Sequence, residues 1–259
     1  MKAAVCIKQI PTVSDIGLEA GTNRMLRDGV PSEINPADKN ALEEALKLAD
    51  EVTVLTMGPD GAQDALRECL EMGADQAVLV GDCQFAGSDT LATARILAEA
   101  IKKTGPYDMV FTGRKAADGD TGQVGPALAQ RLNLPLVSAV RQAAADPEAG
   151  TATARREVTN GYEIVETPLP VLMTVCLQAN EPRKATIKSK MKAAKTEITR
   201  LDAAALGLAA DQTGLNGSAT AVVDVFAPEV LPVGEIIETK DPDDAASKIM
   251  SFIEAAKLV

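Results

Sequence analysis

Residues 52–80 read VTVLTMGPDGAQDALRECLEMGADQAVLV and decide the fold class. Val52–Thr56 and Gln76–Val80 are continuous apolar runs, as expected for strands that are buried on both faces. Asp60–Met72 lies between them with the spacing of a helix, and Gly73 suits the residue that ends that helix. A strand, a helix and a second strand in this order predict a βαβ unit with parallel strands.

The same alternation continues on both sides of this unit. Ala3–Ile7 and Met109–Thr112 are further apolar runs typical of buried strands. Helical spacing recurs in three segments, Pro36–Ala49, Asp89–Lys103 and Gly122–Leu132, and Asn35 is the predicted N-cap of the first. Strands that alternate with helices predict an α/β fold with a doubly wound, mostly parallel, Rossmann-like sheet.

The pattern changes in the second half of the chain. Thr151–Glu166 is predicted to be a hairpin with an Asn-Gly turn, and Val171–Val175 is a further buried strand. We assign residues 1–200 to an α/β nucleotide-binding domain. Residues 201–259 are weakly patterned and end in an amphipathic helix, Asp243–Leu258. We interpret them as a C-terminal arm that packs on a partner rather than on its own core.

The composition excludes several classes of function. The 259 residues include no histidine, which excludes a Ser-His-Asp triad and a histidine-ligated metal site. A formal net charge of −11 argues against a nucleic-acid binder, which needs a basic surface. The four cysteines form no CxxC motif and fit buried free thiols in a reducing compartment. No apolar run reaches membrane-spanning length, so we expect a cytoplasmic protein.

Residues 112–126, TGRKAADGDTGQVGP, follow a predicted strand and lead into a helix. Ligands of open parallel sheets bind beyond the carboxyl ends of the strands, and glycines let the backbone approach them closely. The first N–H groups of the following helix can hold a phosphate, and Asp118 and Asp120 could cap that helix or bind ribose hydroxyls. An ordinary glycine-rich loop remains an alternative, because the spacing matches neither a Walker A motif nor GxGxxG.

Two more predicted strands are followed by small, polar loops. Met57 and Gly58 follow one strand, and Phe85–Thr93 follows the next. The second loop places polar side chains at a helix start: Ser88, Asp89, Thr90 and Thr93. Such a group can be a simple helix cap. Because the carboxyl ends of parallel strands meet at one edge, the three loops together predict one nucleotide-sized cleft, with Cys6 and Asn35–Asp38 on its rim.

The segment 183–195 is rich in basic side chains and is predicted to be helical. Lys184, Lys188, Lys192 and Lys195 would line one side of that helix. A solvated helix face and a docking surface for an acidic partner both agree with this pattern.

The chain resembles the β subunit of electron-transfer flavoproteins, the FixA family, over nearly its whole length. Six segments carry the resemblance, in order and spacing: VCIKQIP, DGV with NPAD between Asp28 and Asp38, TMGP, MGAD, GRKAADGDTGQVGP, and NEPRKATIKSKMKAAK at 180–195. The long loop and the NEPR segment are the most specific of them. The resemblance implies a heterodimer with a larger α subunit that carries the redox-active FAD.

The resemblance also implies an adenine-nucleotide cofactor in this subunit. Most of the family holds a structural AMP, whereas flavin-bifurcating members hold a second FAD and take a hydride from NADH. The chain is similar to the bifurcating branch in TMGP, FAGSDTLAT and GDTGQVGP, so we favour FAD over AMP. The predicted cofactor-binding residues are Cys6, Asn35, Asp38, Met57, Gly58, Asp89, Thr90, Thr93, Ala116, Asp118, Gly119, Asp120, Thr121, Gly122, Gln123, Val124 and Gly125.

The segment 181–195 resembles the family's recognition loop, which docks acyl-CoA dehydrogenases. The predicted docking residues are Glu181, Arg183, Lys184, Lys188, Met191 and Lys192. In the bifurcating branch, electrons from NADH pass to an acyl-CoA dehydrogenase-type enzyme and to ferredoxin or flavodoxin. No side chain of this subunit is expected to be catalytic, since the flavin supplies the chemistry.

Two alternatives remain open on the sequence. A non-bifurcating β subunit would hold a structural AMP and would carry electrons from dehydrogenases to a quinone reductase. A free-standing ATP-binding protein of the adenine-nucleotide α-hydrolase or universal-stress type would share the sheet and need no partner.

Overall fold

The computed structural model describes residues 1–12, 31–223, 234 and 236–257, and the chain divides into two compact units, Met1–Val223 and Asp224–Val259. The strands are β1 (Lys2–Cys6), β2 (Gln9–Pro11), β3 (Ser32–Ile34), β4 (Glu51–Met57), β5 (Gln76–Val80), β6 (Met109–Gly113), β7 (Leu136–Asp146), β8 (Thr151–Val158), β9 (Gly161–Pro168), β10 (Val171–Val175) and β11 (Ile198–Leu201). The α-helices are α1 (Pro36–Leu48), α2 (Gln63–Met72), α3 (Thr90–Thr104), α4 (Val124–Leu132), α5 (Ile187–Lys195), α6 (Ala203–Leu206), α7 (Gly214–Gly217) and, in the second unit, α8 (Pro242–Ala255).

Nine of the strands form one sheet in the order β11-β5-β4-β1-β6-β10-β7-β8-β9. Every neighbouring pair from β11 to β7 is parallel, whereas β8 and β9 extend the sheet as antiparallel strands. Strands β2 and β3 form a separate antiparallel pair. The α/β fold with a doubly wound, mostly parallel sheet, predicted from the sequence, is confirmed.

Helices cover both faces of the parallel strands, which explains why these strands are apolar throughout. On one face, Leu42 of α1 and Leu66 of α2 share a buried cluster with Phe111 of β6. On the other face, Ile96 of α3 and Leu128 of α4 belong to a second buried cluster. Full burial of each such side chain stabilises the fold by roughly 1.5–3 kcal/mol.

The connections reverse direction beside β1. The chain passes from β1 through α1 to β4 on one side, and later from β5 through α3 to β6 on the other side. Such a reversal leaves a crevice between the two neighbouring strands at their carboxyl ends, where ligands of open α/β sheets bind. The fold therefore places a candidate site at the ends of β1 and β6.

Local sequence signals locate several element ends correctly. Pro36 is the first residue of α1, and Gly73 follows α2 with a φ of 129°, which favours glycine. Gln76–Val80 and Val171–Val175 are strands with the predicted bounds. The predicted hairpin is formed by β8 and β9, and β9 continues to Pro168.

The sequence patterns do not predict β7 or β11. The register of β7 shifts beyond Val140, and its outer half alternates between partly buried and exposed residues, unlike the fully buried parallel strands. Strand β11 has only four residues at the sheet edge. Leu201, Ala203 and Leu206 are buried, so the first compact unit continues to Val223, past the predicted domain boundary at residue 200.

The helix predicted over Arg183–Lys195 is shorter than expected. Helix α5 begins at Ile187, because the Thr186 hydroxyl accepts a hydrogen bond from the Ser189 N–H at 3.1 Å and forms a capping box. Lys184 lies before the helix, so the predicted row of four lysines on one helix face is not formed.

Helix α8 of the second unit is amphipathic, as predicted, but contains no buried residue. Ile249, Met250 and Phe252 are each about half exposed or more. Leu258, the last residue of the predicted helix, lies outside the described residues. The packing of this arm on a partner remains a prediction.

All four cysteines are free. Cys6, Cys69 and Cys176 are buried as expected, but Cys83 is exposed because it lies in a short 3-10 turn after β5. Within the described ranges, no helix combines the length and the apolar character needed to cross a membrane.

Candidate nucleotide site at the carboxyl edge of the sheet

The crevice is lined by the ends of three neighbouring strands. Cys6 ends β1, Met57 ends β4 and Gly113 ends β6. In the sheet register Cys6 lies beside Thr112, so the tip of β1 directly adjoins the start of the glycine-rich loop. Burial raises the pKa of the Cys6 thiol to about 12, so this side chain presents a neutral surface. The structure thus brings together three segments that the sequence analysis assigned to one cleft.

Asp38, in the first turn of α1, joins the ends of β1 and β6. One carboxylate oxygen accepts a hydrogen bond from the Lys8 N–H at 2.7 Å, and the other accepts one from the Gly113 N–H at 2.9 Å. The side chain is buried, and this burial raises its pKa to about 7. Asp38 therefore fixes the width of the crevice.

Asn35 holds the loop that follows β6. Its side-chain amide donates to the Lys115 carbonyl at 3.0 Å, and its side-chain oxygen accepts from the Ala117 N–H at 3.1 Å. The sequence predicts Asn35 as the N-cap of α1. It has that position, but its side chain makes no capping hydrogen bond. The tertiary contact with the loop takes the place of the local one.

Two ion pairs brace the outer part of the loop. Lys8 Nζ contacts both Asp118 carboxylate oxygens, at 2.7 and 2.6 Å, and Lys115 Nζ contacts Asp120 at 2.6 Å. Neither aspartate caps α4, so the expectation that they cap this helix is wrong; the alternative, that they bind ribose hydroxyls, stays a prediction. Lys8 is a site residue that the sequence analysis did not select, although it lies in the VCIKQIP motif.

Helix α4 begins at Val124 without a side-chain cap, so within the described residues the N–H groups of Val124 and Gly125 have no side-chain partner, and Pro126 has no N–H. Gly125 lets this helix start close to the sheet. A Cβ at this position would lie 2.5 Å from Thr174 Cγ2 and 2.9 Å from Thr112 Oγ1. Gly122 has a φ of 61°, which favours glycine at the bend before the helix. Four further residues of this segment are predicted to bind the cofactor: Ala116, Gly119, Thr121 and Gln123.

Helix α3, in contrast, begins with a fully engaged cap. Asp89 accepts from the Ala92 N–H at 2.9 Å, and its other oxygen accepts from the Ala219 and Thr220 N–H groups at 2.8 and 3.0 Å. The Thr90 hydroxyl donates to Gln123 Oε1 at 2.8 Å. Thr90 therefore adjoins the loop, whereas the Asp89 carboxylate ties α3 to residues 219–220. No local sequence signal predicts that contact.

We expect Asp38 to make stability depend on pH. Because its pKa is raised in the folded state, the folded chain binds the proton more tightly than the unfolded chain. Its contribution is therefore fully present below the unfolded pKa and is lost as the pH rises through about 7. The stability difference between the wild type and Asp38→Asn should fall between about pH 4 and 7, by at most about 1.4 kcal/mol per pH unit, and should level off above that range. Urea unfolding over this range measures it, and a difference that is constant or rises with pH contradicts the assignment.

The predicted docking residues form a second group, on the segment that precedes α5 and on α5 itself. Lys184 and Lys188 are exposed, as is Met191 at 61%. Lys192 Nζ contacts Asp75 at 2.9 Å. Ile187 is 82% exposed, although the sequence analysis did not select it. Together these residues present two apolar side chains among basic ones.

The chain is similar to proteins of one family over its whole length. The model of the electron transfer flavoprotein domain family matches residues 22–206. The chain is 40% identical to the caffeyl-CoA reductase-Etf complex subunit CarD of Acetobacterium woodii, over 100% of both chains. It is 40% identical to the electron transfer flavoprotein subunit beta of Megasphaera elsdenii, again over 100% of both. It is 44% identical to protein FixA of Azotobacter vinelandii, over 94% of this chain and 90% of that one.

Proposed function

This chain belongs to the β-subunit family of electron-transfer flavoproteins, and we propose that it binds FAD in the crevice between β1 and β6. Paired with an α subunit, it would accept electrons from NADH. It would pass them to an acyl-CoA dehydrogenase-type enzyme and to ferredoxin or flavodoxin. The observation that carries the proposal is the uncapped start of α4 beside a glycine-bearing loop at the reversal point of the sheet.

The residues of the crevice fit an adenine nucleotide. The N–H groups at the start of α4 would hold a phosphate, while Gly122 allows the bend before the helix and Gly125 lets the helix start close to the sheet. Cys6 and Met57 would offer neutral surface to the adenine, and the ion pairs of Lys8 and Lys115 with Asp118 and Asp120 would hold the loop in shape around the phosphate. Asn35 and Asp38 would act by holding the loop in place.

Thr90 and Thr93 would lie toward the flavin end of the cofactor, since Thr90 bonds to Gln123 at the end of the loop. The flavin, when bound, would supply the conversion between two-electron and one-electron transfer. The contribution of this chain is to bind and orient it, which requires no acid or base among its side chains. Asp89 would contribute by keeping α3 in place rather than by touching the cofactor.

Partnership is supported by the relatives and by exposed surfaces. The relative from Acetobacterium woodii is named as a subunit of a caffeyl-CoA reductase-Etf complex. We propose that Ile249 and Met250 of α8 pack on the α subunit, because they are neighbours on its apolar face and about half of each side chain is exposed. Lys184, Lys188 and Met191 would dock an acidic dehydrogenase. Glu181, the first of the predicted docking residues, precedes them in the chain.

Cofactor content tests the proposal. We expect two FAD and no AMP per αβ heterodimer after denaturation and chromatography of the released nucleotides. Gly122→Ala should lose one FAD, because the left-handed φ of 61° is unfavourable for alanine by about 1–2 kcal/mol and lies within the loop. Gly150→Ala is the matched control. Gly150 has a φ of 68° and an open surrounding in the β7–β8 turn, so cofactor content should not change.

One FAD and one AMP per heterodimer would instead identify the non-bifurcating alternative, with a structural nucleotide. Bleaching of the flavin absorbance by NADH separates the same two possibilities, because only the proposed function includes electron transfer from NADH. A stable monomer that retains ATP without any partner would reject both.

A further inference from the structure

Helix α1 makes buried polar contacts along much of its length, beyond those at the nucleotide loop. The residues of its first turn bond to the crevice. Asn40, Glu43 and Glu44, further along the helix, are also buried. A buried polar side chain needs a hydrogen-bond partner, since an unpaired one destabilises the fold. Glu44 accepts one hydrogen bond from the Ala143 N–H at 2.8 Å, and the other partners come from residues 178–183, which lead into the docking segment.

Asn40 and Asn180 bind each other in both directions. The Asn40 amide donates to the Asn180 carbonyl at 2.7 Å, and the Asn180 amide donates to the Asn40 carbonyl at 3.0 Å. The Gln178 N–H donates to Asn40 Oδ1 at 3.2 Å, and Asn180 also donates to Glu44 at 3.1 Å. The backbone of residues 178–180 is therefore fixed on α1.

Arg183 binds Glu43 through three hydrogen bonds. Its backbone N–H and its Nε donate to Glu43 Oε2 at 3.0 and 2.8 Å, and Nη2 donates to Oε1 at 3.2 Å. The Glu43 side chain is only 7% exposed, whereas that of Arg183 is 43% exposed. The planar guanidinium of an arginine binds a carboxylate with a fixed geometry. A lysine has the same charge but cannot reproduce that geometry.

The far end of the segment is anchored as well. The Arg67 guanidinium of α2 donates to the Thr196 carbonyl at 2.7 Å, just after α5 ends. Lys192 is paired with Asp75. Between the two anchors, Lys184, Ile187 and Lys188 are exposed. The segment is thus held at both ends and presents its middle to solvent.

We propose that Glu43, assisted by Asn40, is a positioning residue for the docking segment, and that Arg183 serves this internal contact rather than the partner. This inference rests on the proposed docking function of residues 184–192. Because α1 also holds the nucleotide loop through Asp38, the same helix fixes the position of the docking segment relative to the crevice.

The first experiment needs no dehydrogenase. In the αβ heterodimer, Glu43→Gln should raise the amide hydrogen-exchange rates of residues 181–186 by roughly tenfold, because it removes charge-assisted bonds. Glu68→Gln is the matched control. Glu68 is partly exposed and pairs with Lys39 at 2.8 Å near the same segment, but it forms no hydrogen bond or ion pair with residues 180–183, so exchange there should not change. Unchanged exchange in Glu43→Gln overturns the proposal.

The second experiment asks whether Arg183 positions the docking segment or contacts the partner directly. The two possibilities predict different changes in the Kd of the dehydrogenase. The probe is a purified acyl-CoA dehydrogenase titrated with the heterodimer. If Arg183 met an acidic partner, Glu43→Gln would free its charge and would leave the Kd unchanged or lower it. Positioning predicts a Kd raised roughly tenfold. Arg183→Lys should weaken docking similarly, because the charge stays while the fork geometry is lost.

Salt dependence and cofactor content complete the test. Lys184→Ala and Lys188→Ala should reduce the salt dependence of docking, since these lysines would meet the partner directly. Glu43→Gln should leave that dependence and the FAD content as in the wild type. If the wild type does not bind the dehydrogenase, the docking function fails, while the exchange experiment still decides the internal contact.

Discussion

Replacing Asp38 by leucine is expected to destabilise the first compact unit by roughly 2–6 kcal/mol and to abolish nucleotide retention. The Lys8 and Gly113 N–H groups both donate to this buried carboxylate, and leucine leaves each of them without its partner. An unsatisfied buried donor costs about 1–3 kcal/mol, and two donors lose their partner here, of which the Gly113 N–H is buried and the Lys8 N–H is partly buried. Urea unfolding of the purified chain measures the first effect, and chromatography of nucleotides released from the heterodimer measures the second.

A matched control lies at the opposite edge of the sheet. Asp108 accepts a hydrogen bond from the Lys2 N–H at 2.7 Å, but this contact is exposed to solvent. Water can replace the carboxylate there, so Asp108→Leu should cost no more than about 1 kcal/mol and leave the nucleotide bound. Equal losses in the two variants would mean that Asp38 has no special role in the crevice.

Gly113→Ala is expected to cost about 3 kcal/mol and to displace the loop from the crevice. A Cβ at this position would lie 2.2 Å from Asp38 Oδ1 and 3.0 Å from the carbonyl carbon of Ala37. The second of these atoms is backbone at the start of α1, which cannot move without shifting the helix. Nucleotide content should therefore fall together with stability, as measured by chromatography and urea unfolding.

The control for this variant is Gly61→Ala. Gly61 lies in the turn before α2, and no atom lies within 4 Å of an added Cβ. Alanine there should change stability by less than about 0.5 kcal/mol and leave the nucleotide bound. A Gly113→Ala variant as stable as Gly61→Ala would show that α1 is not packed against the end of β6.

Much of the fold follows from local patterns. The runs Gln76–Val80 and Val171–Val175 are apolar throughout because helices cover both faces of the strands. Pro36 and Gly73 mark element ends because each restricts or permits particular backbone angles. Strand β7 escapes prediction because its exposed, alanine-rich half lacks a strong apolar pattern.

The position of the site could also be predicted, since the loops after β1, β4 and β6 meet at one edge whenever these strands are parallel neighbours. The roles of individual side chains could not. Asp89 and Asn35 both look like helix caps in the sequence. Asp89 is one, but its second oxygen binds residues 219–220, and Asn35 binds the loop instead of its own helix.

The sequence alone determined the alternation of strands and helices and the glycine-rich loop, because these depend on residues that are near one another in the chain. Tertiary structure decided which polar groups pair. Glu43 and Arg183 are separated by 140 positions, and Asp38 and Gly113 by 75. A hydrogen bond acts over about 3 Å, so only the folded arrangement of distant segments selects its partner.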